Sequence, residues 1–378
     1  MLSTSARRQY LDVLRVLSML AVVYLHTAAP SLRQFEHMAL WHVSNALTSI
    51  CTIAVPIFFM ISGALLLSSD KTADPHYLLR HRLPRVLIPF LLWSALAVVF
   101  AYRESGPETA KNMLKSFAGA PVITPYWFIY AIIPIYLLSP LLKKLTGSLS
   151  PTLWRYALVL WFLFSSVIKT VRELLPARYA PLLSGNPVYN LTMVGGFLGY
   201  FLLGYALSTL RRPVGKRTLW MVVIADLAVI ILGTWRRSVG AQTYSEQFKS
   251  YLSAYVVILS AAVFLLAREY WEGRPSRGRS LTLLSGASFC VYLAHPRIIT
   301  LLHIHVMSQH FTAVWQQAVF YGLTLLFSLF ITFVFASVRP LCWPFTGQSY
   351  RGAANLQALF RHGDGSPAAS RHEKAPPL

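Results

Sequence analysis

The sequence predicts an all-α fold: a polytopic transmembrane helical bundle of about ten spans with both termini in the cytoplasm. Three observations predict it. The 378-residue chain is 55% hydrophobic and only 12% charged, too few polar side chains to cover a water-facing surface. About ten apolar segments are long enough to cross a ~30 Å hydrocarbon core at ~1.5 Å per residue. The basic residues are also distributed unevenly between alternate loops. Of 34 Lys and Arg, 22 fall on the side of the N-terminus and 11 on the other, with Arg15 inside the first span. That bias places both termini in the cytoplasm. It also accounts for the net charge of +21 without nucleic acid, for which no accompanying binding signature exists.

The predicted spans lie near residues 10–28, 46–67, 84–101, 126–142, 153–169, 190–210, 218–235, 251–267, 283–305 and 314–338. The first reads RRQYLDVLRVLSMLAVVYLHTAAP. It resembles a signal peptide, but Asp12 and Arg15 interrupt the apolar run and Pro30 follows the one small-residue site, Thr27-Ala28-Ala29. A retained first helix is the better reading. Arg15 and His26 are eleven residues apart, about three turns, so they share one face some ~16.5 Å apart along the axis. Asp12 is close enough on the helix surface to pair with Arg15. Ionisable groups inside a span face polar cavities as a rule. An interfacial histidine and a structural ion pair are the alternative readings.

The second span ends VPIFFMISGALLL, where Ser62-Gly63 suits close helix packing or a ligand contact, packing being favoured for the motif alone. The loop after it carries Arg80, Arg82 and Arg85. Arginine binds phosphate bidentately, so the cluster fits an anionic ligand as well as it fits lipid headgroups. The fourth span is short and holds Pro134, and the ninth holds Pro296, so both predict broken or kinked helices. Asp226 lies within the seventh span and needs a partner. The ninth span reads SFCVYLAHPRI, with Tyr292 one turn before His295 and Arg297 directly after, where a water-filled or anionic neighbour is required. His295 is predicted at a depth similar to His26, as catalyst or as a helix–helix hydrogen bond. The chain divides into a membrane domain, residues 1–344, and a tail, residues 345–378, rich in Gly, Ala, Pro and charge and expected to be disordered in the cytoplasm. No Cys/His metal spacing, GxSxG, HExxH, Walker loop or GxGxxG is present.

In this order the pieces resemble the acyltransferase 3 family of integral membrane acyltransferases. The resemblance is carried by Asp12 and Arg15 with His26 after ten intervening residues, FFMISG at residues 58–63, and Arg82 with Arg85. It continues through YWFIY at 126–130, LLSP at 137–140, and Ser288, Phe289, Tyr292, Leu293, His295 and Pro296. It spans about residues 8 to 340, and the short loops look most like the enterobacterial common antigen O-acetyltransferase branch. The resemblance implies a multi-pass O-acyltransferase of the bacterial cytoplasmic (inner) membrane. Acetyl-CoA would be the acyl donor, the acceptor an envelope polysaccharide or lipid-linked glycan, and no metal would be needed. It implies His26 as the essential histidine with Arg15 its paired arginine, Arg82 and Arg85 as a coenzyme A-binding pair, and Tyr292 and His295 as a ninth-helix motif. Direct attack by the acceptor hydroxyl with His26 as base is the expected mechanism, a transient acyl-His26 relay the alternative. A multi-span transporter or flippase of a lipid-linked sugar or small anion is the competing function.

Overall fold

A computed structural model describes residues 8–117, 119–176, 196–274 and 279–350. All regular structure among them is helical. The principal elements are α1 (Gln9–Ala28), α2 (Met38–Cys51), α3 (Ala54–Leu66), α4 (Pro84–Ser105), α5 (Trp127–Ser148), α6 (Pro151–Phe162), α7 (Gly196–Ser208), α8 (Lys216–Ala241), α9 (Ala254–Trp271), α10 (Arg279–His305), α11 (Val314–Ser337) and α12 (Arg339–Thr346). Eight helical stretches are long and apolar enough to cross a membrane. Two of the ten predicted spans are not among them. The fifth is helical, α6 running through a π turn to Leu174. The sixth is described only from Gly196, as the short α7, its first residues lying outside the described chain.

The predicted second span is two helices. α2 begins at Met38 and ends at Cys51, and α3 resumes at Ala54, the pair together reaching from Met38 to Leu66. Pro56 explains the break. It has no N–H for the carbonyl of Thr52, one turn earlier, and its ring clashes there. The prolines of α5 and α10 leave their helices continuous instead, and side chains serve two of the carbonyls they free. Pro140 leaves the Tyr136 carbonyl to the Ser139 hydroxyl, at 2.6 Å.

α1 lies at the centre, against α2, α3, α9, α10 and α11. Its sequence is apolar around most of its circumference, as a buried helix requires, and Tyr10, Leu14, Met19 and Val23 are all enclosed. The closest approach is between α3 and α7. A Cβ on Gly63 would overlap the Phe201 carbonyl, and one on Gly204 would overlap the Met60 backbone. The outer helices are turned inside out relative to a water-soluble protein. α11 buries Gln317, Thr324, Ser328 and Thr332 and exposes Trp315, Leu326 and Phe330. α8 buries Asp226, Thr234 and Ser238 and exposes Met221, Ile224 and Leu232. Such faces suit lipid, where small polar residues join helices and apolar ones meet the acyl chains.

Candidate active site

Two helices carry the site. α1 and α10 lie side by side and run the same way, so Asp12 and Arg15 meet Ser285 near their first turns, and His26 meets His295 further along. At the first level, the Ser285 hydroxyl donates to Asp12 Oδ1 at 2.5 Å and accepts from Arg15 Nη1 at 3.1 Å. Arg15 itself stands 3.8 Å from Asp12. A serine on α10 therefore links the two charges that the sequence pairs within α1.

At the second level, the His26 and His295 rings lie 5.2 Å apart, centroid to centroid, tilted by 34°. His295 is fully buried, and its Nδ1 is 2.6 Å from the Tyr292 carbonyl. A carbonyl only accepts, so Nδ1 carries the proton and Nε2 of the neutral ring presents a lone pair. The reason lies one residue on. Pro296 removes the N–H that the Tyr292 carbonyl would receive in a regular helix, and the histidine takes its place. Nε2 of His295 is buried and has no hydrogen-bond partner among the described residues. The Tyr292 hydroxyl donates to the Pro125 carbonyl, and the Tyr126 hydroxyl donates to the Leu293 carbonyl at 2.7 Å. The start of α5 is thereby pinned to α10 at the height of the histidine. Beyond it, Arg297 finds the anionic neighbour its position demands. Glu104 of α4 accepts from both guanidinium Nη atoms, one at 3.0 Å, and the Phe100 ring lies 4.0 Å from the guanidinium carbon.

Two cavities are lined by residues of this region. One, of about 320 Å³, is lined by Arg15, Ser62, Arg85, Ser285, Ser288 and Tyr292 among others, so it reaches the tyrosine one turn before His295. Thr346, Gly347 and Gln348 close it from the C-terminal side. Gly347 has φ +70°, and a Cβ there would overlap the Arg85 carbonyl, which Pro89 frees from the α4 ladder. Gln348 donates its side-chain amide to the Gly286 carbonyl. The second cavity, of about 480 Å³, is lined by His26, Arg33, Thr48, Tyr244, Glu246, Lys249 and Tyr251 among others. Burial there pushes the Tyr244 phenol well above its usual range.

Most of the predicted site residues converge. Arg15, Ser62, Arg85 and Tyr292 share the first cavity, His26 opens on the second, and His295 lines neither but stands against His26. Asp12 also lines neither cavity but is tied to Arg15 through Ser285, and three more stand apart from both. Arg80 is exposed, Arg82 stacks over Tyr77 at 5.8 Å with its Nε buried and unpartnered, and Gly63 faces α7. No cation pairs with Asp226 among the described residues. The predicted tail begins at 345, yet the described chain remains helical to Thr346 and packed through Gln348, with residues 351–378 outside the described part. Ser285, Gln348 and Lys249 carry no motif in the sequence that singles them out. Ser285 has no signal beyond its place one helix turn before Phe289.

A family model described as an acyltransferase domain matches residues 8–337, ending just before α12. No curated protein and no solved structure matches the chain.

Proposed function

The chain belongs to the acyltransferase 3 family, and on that premise we propose that it moves an acetyl or similarly short acyl group from its coenzyme A thioester to a hydroxyl of an envelope glycan or lipid-linked sugar. Coenzyme A supplies the activated acyl carbon and the thiolate leaving group. The carrying observation is a buried histidine pair with His26 opening on a polar cavity of sugar-sized volume, and with Tyr292, one turn before His295, lining a basic, serine-lined one.

The residues fit the parts. Arg15 and Arg85 give the first cavity two cations, which suits phosphate oxygens, and its phenylalanines and Tyr292 suit an acyl-bearing arm. The short α4–α10 and α5–α10 ties hold Tyr292 and His295 against motion. His295, with Nδ1–H held by Tyr292, keeps Nε2 unpartnered beside the His26 ring, where a rotation of that ring would bring a His26 N–H onto it. His26 then turns its other nitrogen, with its lone pair, toward the second cavity as general base. The acceptor O–H gives its proton to His26 as its oxygen bonds to the acyl carbon. The carbon–sulfur bond breaks, and the proton passes from His26 to the sulfur. By the charge asymmetry of the loops, the basic cavity belongs to the cytoplasmic side and the second cavity to the far side of the inner membrane. The resemblance to the enterobacterial common antigen branch points to an envelope glycan as acceptor.

The test uses the full chain in lipid nanodiscs with radiolabelled acetyl-CoA and an envelope glycan extract. Wild-type protein is expected to label glycan. His26→Ala is expected to retain its melting temperature and lose at least about a hundredfold in rate. Undiminished transfer by that variant would remove His26 from the chemistry. Label held on the wild-type protein when acceptor is withheld would favour the acyl-histidine relay over direct attack.

A further inference from the structure

Lys249 is the most conspicuous charge that the reading above leaves unused. It is only 7% exposed and lines the cavity onto which His26 opens. Its Nζ donates to the Thr48 hydroxyl at 2.7 Å and to the Asn45 carbonyl at 3.1 Å, both in the last turns of α2. The Thr52 hydroxyl in turn holds the Lys249 carbonyl at 2.8 Å. An ammonium has three donors, and two are taken by neutral oxygens. Lys249 forms no ion pair among the described residues.

A buried cation without a counter-charge is costly, by several kcal/mol in order of magnitude. No carboxylate reaches ion-pair contact with it among the described residues, and Glu246 acts on it only at a distance across the cavity. Glu173 is engaged by Lys169 at 3.6 Å, and Glu246 is exposed and makes no ion pair. Arg33, on the same cavity wall, is likewise without an ion-pair partner among the described residues. Two cations thus face one unpaired carboxylate across a cavity of about 480 Å³, which is within the range of small-molecule sites. Tyr244 and Tyr251 add aromatic surface, and the Tyr244 ring lies 5.6 Å from Lys249 Nζ.

We propose that this cavity recognises an anionic sugar, its carboxylate or phosphate oxygens received by the Lys249 ammonium and assisted by Arg33 at the rim. This rests on the reading of the His26 cavity as the acceptor side, and it makes Lys249 a specificity-determining residue. The negative charge of the acceptor completes the coordination of the ammonium. A neutral sugar leaves it as it stands.

The experiment measures binding, so that it does not depend on turnover. Methyl glucuronide, glucose 1-phosphate and methyl glucoside are titrated calorimetrically into the full chain in nanodiscs, and acyl transfer is assayed in the same samples. Wild type is expected to bind one anionic probe at least about tenfold more tightly than the glucoside, the size of one charge-assisted hydrogen bond. Preference for glucuronide identifies a carboxylate, preference for glucose 1-phosphate a phosphate. Lys249→Met is expected to abolish the preference while leaving glucoside binding within about twofold. Arg33→Gln, at an exposed position, is expected to weaken the anionic probe alone by about threefold, and it carries the test if Lys249→Met does not fold. Equal binding of the three probes by wild type, no binding of any, or an equal loss for all three in Lys249→Met would overturn the proposal. The last result would make the lysine a clamp on α2 and nothing more. Preference without acyl transfer counts against the acyltransferase chemistry alone, and transfer without preference against the anionic acceptor alone.

Discussion

The carbonyl of Tyr292 accepts a hydrogen bond from Nδ1 of His295, at 2.6 Å, in the place that Pro296 leaves vacant in the helix ladder. A helix defect thereby sets the tautomer of a buried histidine and leaves its Nε2 without a hydrogen-bond partner among the described residues. Restoring the ladder should disturb this. Pro296→Ala supplies an N–H that competes for the same carbonyl, so the protein is expected to fold while acyl transfer falls about tenfold, equivalent to ~1.4 kcal/mol of barrier. The comparison is Pro134→Ala, in α5, where the freed carbonyl is that of Tyr130 and no histidine uses it. Equal losses in the two variants would refute the tautomer argument.

The arginines near residue 80 should separate in kinetics. Arg85 lines the cavity that holds Arg15, whereas Arg80 points to the exterior and Arg82 lies over Tyr77. Arg85→Gln is expected to raise KM for acetyl-CoA about tenfold, the loss of one charged phosphate contact. Arg80→Gln is expected to leave it within about twofold. A reversed order would place the donor elsewhere.

Ser285 joins the charges of α1 to α10, donating to Asp12 and accepting from Arg15. Ser285→Ala removes a donor from a buried carboxylate and should lower stability by about 1–3 kcal/mol. Thermal unfolding in detergent measures it. Ser288→Ala, whose hydroxyl bonds only the Ser285 carbonyl of its own helix at 2.8 Å, is expected to change much less.

The α3–α7 contact tolerates no side chain. Gly63→Ala sets a methyl group into the Phe201 carbonyl, and something must shift. A loss of about 1–3 kcal/mol is expected, without a selective rise in KM for acetyl-CoA. A KM effect at unchanged stability would return Gly63 to the ligand-contact role that its motif allows beside packing. Ser62, its neighbour, does line the cavity that holds Arg15 and Arg85. The two halves of the Ser62-Gly63 motif therefore serve different surfaces.

Sparse charge and long apolar runs are enough to dictate helices in a bilayer, because only a helix satisfies its own backbone there. The spacing of Arg15 and His26 places them on one face, because helix geometry is local. That Arg297 needs a water-filled or anionic neighbour is also readable from the sequence, though not that Glu104 supplies the anion. What a linear pattern does not contain is which distant residues meet. Ser285 between Asp12 and Arg15, His295 against His26, the Gly347–Gln348 turn over Arg85, and Lys249 under α2 are all joined by packing across long stretches of chain. Close packing admits one arrangement of these helices, and that choice, made by side-chain volume and by glycines at the contacts, decided which polar groups share a cavity.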